Sequence, residues 1–477
     1  MDNLKTKTSK TDSVQFGEGN FMRAFVDYSI QLLNEETEFE GRVDIIQPIE
    51  KGMIDELVRQ DGKYHIFFEG IVNGEEIREK HLINCIDQLI NPYKDYPAYL
   101  KLAENENLTF IFSNTTEAGI TFEPDDNINS KPPSSFPAKL LAFLYHRYKR
   151  FNGDPAKSVH IIPCELIENN GIALKKILLR ISDQFELEND FKNWLSLNHF
   201  YNTLVDRIVP GYPKNNIDFY KSKLTFDDKL MVTCEPFFLW IIEGDQKLLD
   251  IFPADQLEKI NVIVVPDLGM YRTRKVRILN GCHTCMVPLG LLNGNETVSS
   301  ALNDSFVKNI ITKILFDEII PSINYDQEEL KKYADSVLER FANPFIIHKL
   351  ESISLNSISK FKVRVLPSIL SFIKISGFAP KALSFAMATL IYFYSKKISL
   401  HSIDLKDDPS NIDFFNSVWI NKSIENIIEK ILSNDSLWGE NLVKKSSLKK
   451  NVTEALKIIK SNKSIEDAYN SYENKIT

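Results

Sequence analysis

Cysteine is scarce: five in 477 residues, too few for a disulfide framework, which points to a reducing compartment. There is no basic excess. Lys and Arg number 57 against 65 Asp and Glu, a net charge of −8, the wrong sign for a nucleic-acid binder. There is no long hydrophobic run. The longest uncharged apolar stretch, Ala382 to Ser395, falls short of the roughly 20 residues of a membrane span and suits a buried helix. The opening residues, MDNLKTKTSKTDS, are polar and lack the apolar core of a secretory signal. No low-complexity segment or internal repeat stands out. What is present is ordinary globular composition, 43% hydrophobic and 26% charged, enough for a large core. The expectation is a cytoplasmic protein with no membrane or nucleic-acid partner. Monomer and small homo-oligomer both stay open.

The first half alternates strands with helices. Val14 to Phe16, Val43 to Gln47, Leu108 to Ser113 and Val159 to Pro163 read as near-continuous apolar strands. Helical patterns run from Phe21 to Leu33 and from Phe136 to Tyr148. Such alternation predicts an α/β, Rossmann-type domain with a mostly parallel sheet covered on both faces. Leu230 to Cys234 and Val262 to Val265 are expected to extend that sheet. After about Asp267 the pattern becomes helical. Val307, Ile310, Ile311, Ile314 and Leu315 repeat at helix spacing, as do Leu330, Ala334, Val337, Leu338 and Phe341, and Ile424, Ile427, Ile428, Ile431 and Leu432. The second helix should stop at Asn343-Pro344. The expected division is residues 1–267 and a mainly α-helical domain over residues 268–477.

Phe16-Gly17-Glu18-Gly19-Asn20-Phe21 follows a strand and opens a helix, the context in which GxG carries meaning. The first glycine permits a tight turn, and the second lets backbone approach a pyrophosphate. The third glycine of the usual fingerprint is absent, since Met22 holds its place. Dinucleotide binding and a plain strand–helix turn fit equally. Glu50, just beyond the second strand, is the candidate acceptor for ribose hydroxyls and would favour NAD. Lys51 beside it would favour a phosphate, and both also read as solvated loop charges.

Tyr271 to Met286 reads YRTRKVRILNGCHTCM. On an α-helix Lys275, Asn280 and His283 would stand at about 0°, 140° and 80° around the axis, within one broad side. The trio suits alcohol oxidation. A desolvated lysine supplies a general base, an asparagine amide hydrogen-bonds the developing alkoxide, and a histidine orients a hydroxyl. An amphipathic helix with a snorkelling lysine and a satisfied histidine fits the same spacing. Cys282 and Cys285 flank His283, but two cysteines and one histidine are too few for a closed zinc site, so they read as packing residues.

Lys275-x4-Asn280-x2-His283, within KVRILNGCH, resembles the signature of the polyol-specific long-chain dehydrogenases, the mannitol dehydrogenase family. GEGNFMRAF resembles that family's cofactor turn, and SNTTEAGI (Ser113 to Ile120) its segment after the fourth strand. FPAKLLAFLYHR, PCELIENNG, NTLVDRIVPG, VTCEPFFLWIIEG and RFANPF follow in the same order, so the likeness covers nearly the whole chain. GEGNFMRAFVDY, VDIIQPIEKG, KVRILNGCHT and LWGENL are most similar to the branch that acts on hexuronates.

The resemblance implies an NAD-dependent, zinc-independent oxidoreductase with a small sugar-acid substrate. Lys275 would be the general acid/base, Asn280 part of the alkoxide site, and His283 a contact for substrate hydroxyls. Asn114 and Thr116 would join the glycine turn in holding cofactor. The family's second alkoxide asparagine comes from a segment of the type SCDNxxxNG. Here Leu166 replaces the asparagine after the acid, and Asn170 is the surviving candidate. A substrate carboxylate needs a cation. Lys360, Lys362 and Arg364 alternate in SKFKVRVLP and would share a face if extended, with Lys360 and Arg364 the candidates and a solvated charged edge the plainer reading. Asp206 and Arg207 read as a buried structural pair. A dinucleotide-binding protein without turnover is the alternative from another class.

Overall fold

Twelve strands lie in the first 265 residues of this computed structural model, which describes residues 13–115, 119–214, 216–395, 405–420 and 422–475. They are β1 (Ser13–Phe16), β2 (Val43–Ile46), β3 (Tyr64–Val72), β4 (Glu75–Ile83), β5 (Ile86–Ile90), β6 (Phe110–Ser113), β7 (His160–Pro163), β8 (His199–Phe200), β9 (Asn202–Asp206), β10 (Val232–Cys234), β11 (Leu239–Glu243) and β12 (Asn261–Val265). Six form one sheet in the order β5-β2-β1-β6-β7-β8, with every pair parallel. Counted among themselves, these strands follow the doubly wound order 3-2-1-4-5-6. The order reverses between β1 and β6, so the loops leaving those two strands open a crevice at the sheet's C-terminal edge.

Apolar side chains cover both faces. Phe110 and Phe112 pack into one core with Phe25, Trp240 and Phe252, while Ile111 points to the other with Phe16, Tyr99 and Leu140. That alternation is the pleat acting on a strand with no polar side. The expected helix from Phe21 to Leu33 is broken into Asn20–Arg23 and Val26–Glu36. Buried Arg207 donates to the Ala24 carbonyl at the break, at 2.7 Å.

Two strand assignments from the sequence need correction. β10 and β12 do not extend the main sheet. β10 joins a three-stranded sheet, β10-β3-β4, and β12 another, β12-β11-β9. Local periodicity reports a strand but not its neighbour. The β3–β4 hairpin turns at Asn73-Gly74, both with positive φ (51° and 81°), as a tight two-residue turn requires.

The chain forms two compact units, Met1–Glu69 with Glu76–Gly269, and Gly70–Glu75 with Met270–Thr477. In the second, helix Gly281–Leu292 (GCHTCMVPLGLL) is buried along most of its length, as a helix apolar all round must be. Helices Leu350–Ser354, Ser357–Arg364 and Lys381–Phe393 pack against it. The periodic segments become Ser305–Lys313, Gln327–Ala342 and Ile424–Leu432, and the second ends before Asn343-Pro344. No helix among the described residues is long and apolar enough to cross a membrane.

Asp44 sits where the β2–β5 register slips, and its carboxylate accepts the Gln88 N–H at 3.1 Å. Burial, and then the neighbouring Asp87, push its carboxyl up to about 7. The folded state therefore holds this proton more tightly than the unfolded chain. Stability from this group is complete at low pH and is lost as pH rises from about 4 to about 7. Asp44→Asn removes the ionisation and can keep the Gln88 N–H bond. Relative to wild type it should gain stability between pH 5 and pH 8, by up to a few kcal/mol. Thermal unfolding at both pH values checks the sign.

Candidate active site

At the C-terminal ends of β1 and β6 the backbone is closely knit. Asn114 N–H donates to the Phe16 carbonyl at 3.2 Å, and Gly17 N–H to the Ile46 carbonyl at 3.0 Å. Gly17 has φ +122°, and a Cβ there would stand 3.2 Å from the Asn114 carbonyl oxygen, so both conformation and space call for glycine. Gly19 faces open space, with nothing within 4 Å of where its Cβ would be. The turn leaves backbone open on the side that Gly19 faces.

The other turn residues have mixed surroundings. Phe16 is fully buried against Tyr99, Phe136 and Phe143, and Phe21 stacks on Phe25. Asn20 is half-buried, and its Oδ1 accepts from Arg23 at 2.6 Å. Arg23 is 2% exposed and also donates to the carbonyls of Glu18 (3.1 Å) and Leu230. Burial lowers its pKa. The sequence reading missed it. Glu50 and Lys51 are exposed on the loop after β2. Asn114 donates through Nδ2 to the Cys164 carbonyl at 2.7 Å. Thr116 lies outside the described residues.

The lysine–asparagine stretch departs from a plain α-helix. Lys275–Asn280 is a π-turn between helices Gly269–Arg274 and Gly281–Leu292, and the Gly281 N–H reaches back five residues to the Val276 carbonyl. An i→i+5 turn takes up one extra residue, so residue 280 stands roughly 40–50° around the axis from residue 275, instead of about 140° on an α-helix. His283 follows three residues into the α-helix, where i and i+3 are neighbours. Lys275, Asn280 and His283 thus line up more closely than α-helical spacing predicts. Lys275 and Asn280 are half-buried, and the Asn280 side chain makes no capping bond. His283 is 7% exposed, stacks on Phe341 at 4.0 Å and meets His348 edge-on at 5.2 Å. Burial lowers the His348 pKa. Cys282 and Cys285 are fully buried, and burial pushes the Cys282 thiol up to about 12.

Lys360, Lys362 and Arg364 are not on a strand. Ser357–Arg364 is a helix, because Ile358, Phe361 and Val365 fall at helical spacing and are buried. Lys360 and Arg364, four apart, therefore share a face, while Lys362 turns away toward the Ser436 carbonyl. Lys360 Nζ donates to the Ile353 carbonyl at 2.8 Å, and burial, then Arg364, lower its pKa. This helix packs close to the π-turn: a Cβ on Gly281 would lie 3.2 Å from the Arg364 carbonyl oxygen.

Residues 11–251 match the mannitol dehydrogenase Rossmann domain, and residues 267–460 the mannitol dehydrogenase C-terminal domain. The chain belongs to the mannitol dehydrogenase family. Among curated members, the altronate oxidoreductase of Phocaeicola vulgatus is 42% identical over 440 residues, 91% of this chain and 92% of that one. The altronate oxidoreductase of Bacillus subtilis is 43% identical over 432 residues, 90% and 88% of the two chains. Two solved structures share the fold at 19% identity. D-sorbitol dehydrogenase in substrate-free form has a TM-score of 0.81, covering 97% of this chain and 95% of that one. Pseudomonas fluorescens mannitol 2-dehydrogenase, in a ternary complex with NAD and D-mannitol, has 0.69, covering 98% and 95%.

The segment after β7 carries the second asparagine candidate. Leu166, where an asparagine was expected, is 61% exposed. Asn170 is fully buried and its amide is engaged. Nδ2 donates to the carbonyls of Pro163 (2.9 Å) and Glu165 (3.1 Å) and to Thr203 Oγ1 (2.9 Å), and Oδ1 accepts the Gly171 and Thr203 N–H groups. Every polar atom of its amide has a protein partner, and these bonds tie this turn to β9. Glu165, which the sequence reading passed over, is 2% exposed and takes hydrogen bonds from Ser113 Oγ and from Thr115 N and Oγ1. It ties Ser113 and Thr115, at the end of β6, to the segment after β7. Arg207, read as an ion-pair partner of Asp206, donates to the Ala24 and Glu235 carbonyls and lies over the rings of Tyr28, Phe68 and Phe238.

Proposed function

We propose that this chain is a cytoplasmic NAD-dependent oxidoreductase that interconverts D-altronate and D-tagaturonate. The substrate assignment is supported by relatives about 40% identical over nine-tenths of both chains, named altronate oxidoreductases. The chemistry is supported above all by one observation: the π-turn that brings a half-buried lysine and an asparagine without a capping bond closer around the helix axis.

In this reading residues 1–267 hold NAD, with the backbone of Gly17, Glu18, Gly19 and Asn20 at the phosphates and Asn114 beside them. Residues 268–477 carry the catalytic groups. NAD held there would supply hydride for the ketone carbon, or accept it from the alcohol. In reduction, protonated Lys275 gives its proton to the carbonyl oxygen, and the neutral amine is reprotonated from solvent. In oxidation, neutral Lys275 removes the hydroxyl proton. The Asn280 amide hydrogen-bonds the same oxygen while it carries negative charge. His283 orients a neighbouring hydroxyl. The carboxylate of the sugar acid pairs with Lys360 or Arg364, two cations on one helix face.

The test is NADH oxidation by the purified protein with D-tagaturonate, D-fructuronate and D-fructose in parallel, with and without EDTA. Fast turnover of tagaturonate, unaffected by EDTA, is expected. A preference for fructuronate would keep the chemistry and move the substrate to its epimer. NADH binding without turnover on any of the three would support a silent binder. Loss of activity in EDTA, restored by a divalent metal, would contradict a lysine acting without metal.

A further inference from the structure

Glu18 lies between the glycine turn and the loop after β2. Its Oε1 accepts the Met53 N–H at 3.1 Å, a bond spanning 35 positions of sequence. Gly52 makes that reach possible, because a Cβ there would collide with Glu18 Oε1 and with the Gln47 amide. Gln47 holds the same loop from within. Its Nε2 donates to the carbonyls of Ile49 (2.9 Å) and Glu50 (3.0 Å), and its Oε1 accepts the Ile54 N–H (3.3 Å). The loop is thus wound on two side chains that are only 6% and 2% exposed, whereas Glu50 and Lys51 project into solvent.

We infer that Glu18, rather than Glu50, is the carboxylate that selects NAD over NADP. The inference rests on the reading that this chain binds a nicotinamide dinucleotide. In a doubly wound sheet the adenosine ribose lies between the first glycine turn and the end of the second strand. Glu18 is the side chain that joins those two segments. A carboxylate there accepts hydrogen bonds from ribose hydroxyls and repels a 2′-phosphate dianion. Its charge acts from a largely desolvated position, where Coulomb interactions are several times stronger than at an exposed, salt-screened site such as Glu50. Burial raises the Glu18 carboxyl pKa, while the Met53 N–H bond and Arg23 favour its ionised form. Glu18 Oε1 is already bonded to the loop, so its other oxygen is the acceptor for ribose.

Affinity decides this without turnover. NADH and NADPH dissociation constants are measured by cofactor fluorescence on wild type, Glu18→Gln and Glu50→Gln. Wild type should prefer NADH. Glu18→Gln keeps an oxygen for the Met53 N–H, so its melting temperature should stay close to wild type. Its preference for NADH over NADPH should fall by at least about tenfold. Retention of the wild-type preference in Glu18→Gln, or its collapse in Glu50→Gln, overturns the inference. A wild-type protein that binds neither cofactor overturns the dinucleotide reading itself, which is a distinct result.

Discussion

Lys275→Met lowers kcat for ketone reduction by about 10²–10⁴-fold, the usual contribution of a positioned acid/base. Methionine keeps the length and apolar stem of lysine, and residue 275 is half-buried, so the fold should tolerate the change. The loss should appear in kcat, with NADH affinity unchanged, because the cofactor cradle is built from other residues. Asn280→Ala should lose less, since one hydrogen bond to the oxygen disappears while proton transfer remains. Steady-state kinetics with separate NADH titrations checks both variants. A Lys275→Met enzyme whose kcat falls only a few-fold would remove the lysine from the chemical step.

Arg23→Met should cost about 3–5 kcal/mol of stability, because it strands several acceptors at roughly 1–3 kcal/mol each. The guanidinium is 2% exposed and bonds the Glu18 and Leu230 carbonyls and Asn20 Oδ1, with the Tyr64 ring 5.2 Å away. Methionine fills the apolar volume and leaves those acceptors buried without a donor. Two of them belong to the glycine turn. NADH affinity should therefore fall together with stability. Denaturant unfolding and an NADH titration of the folded variant measure the two effects. A stability change under about 1 kcal/mol would show that the network is not holding the turn.

The parts of this fold that were legible in the sequence share one property: the signal is local. β1, β2, β6 and β7 are short apolar runs, and the helices Gln327–Ala342 and Ile424–Leu432 carry clean 3.6-residue periodicity. The glycine turn was legible for the same reason. Pairing was not. β10 and β12 have the composition of core strands, but nothing in them names β3 or β11 as their neighbours. The Lys360 to Arg364 stretch fits alternation and helix equally in its charges, and only the burial of Ile358, Phe361 and Val365 decides for helix. The π-turn was invisible because one extra residue per turn leaves the apolar pattern on either side intact. It nevertheless brings residues 275 and 280 closer around the axis than α-helical spacing would. Glu18, Arg23 and Glu165 act through partners distant in sequence, and single-residue chemistry does not predict such contacts.

Chemical rescue tests the central claim most directly. NADH oxidation with D-tagaturonate is measured for wild type and Lys275→Ala, each with and without added ammonium or methylamine. The account predicts rapid turnover by wild type, a loss of orders of magnitude in Lys275→Ala, and partial recovery of the variant alone as amine concentration rises. Full activity in Lys275→Ala without amine would contradict it.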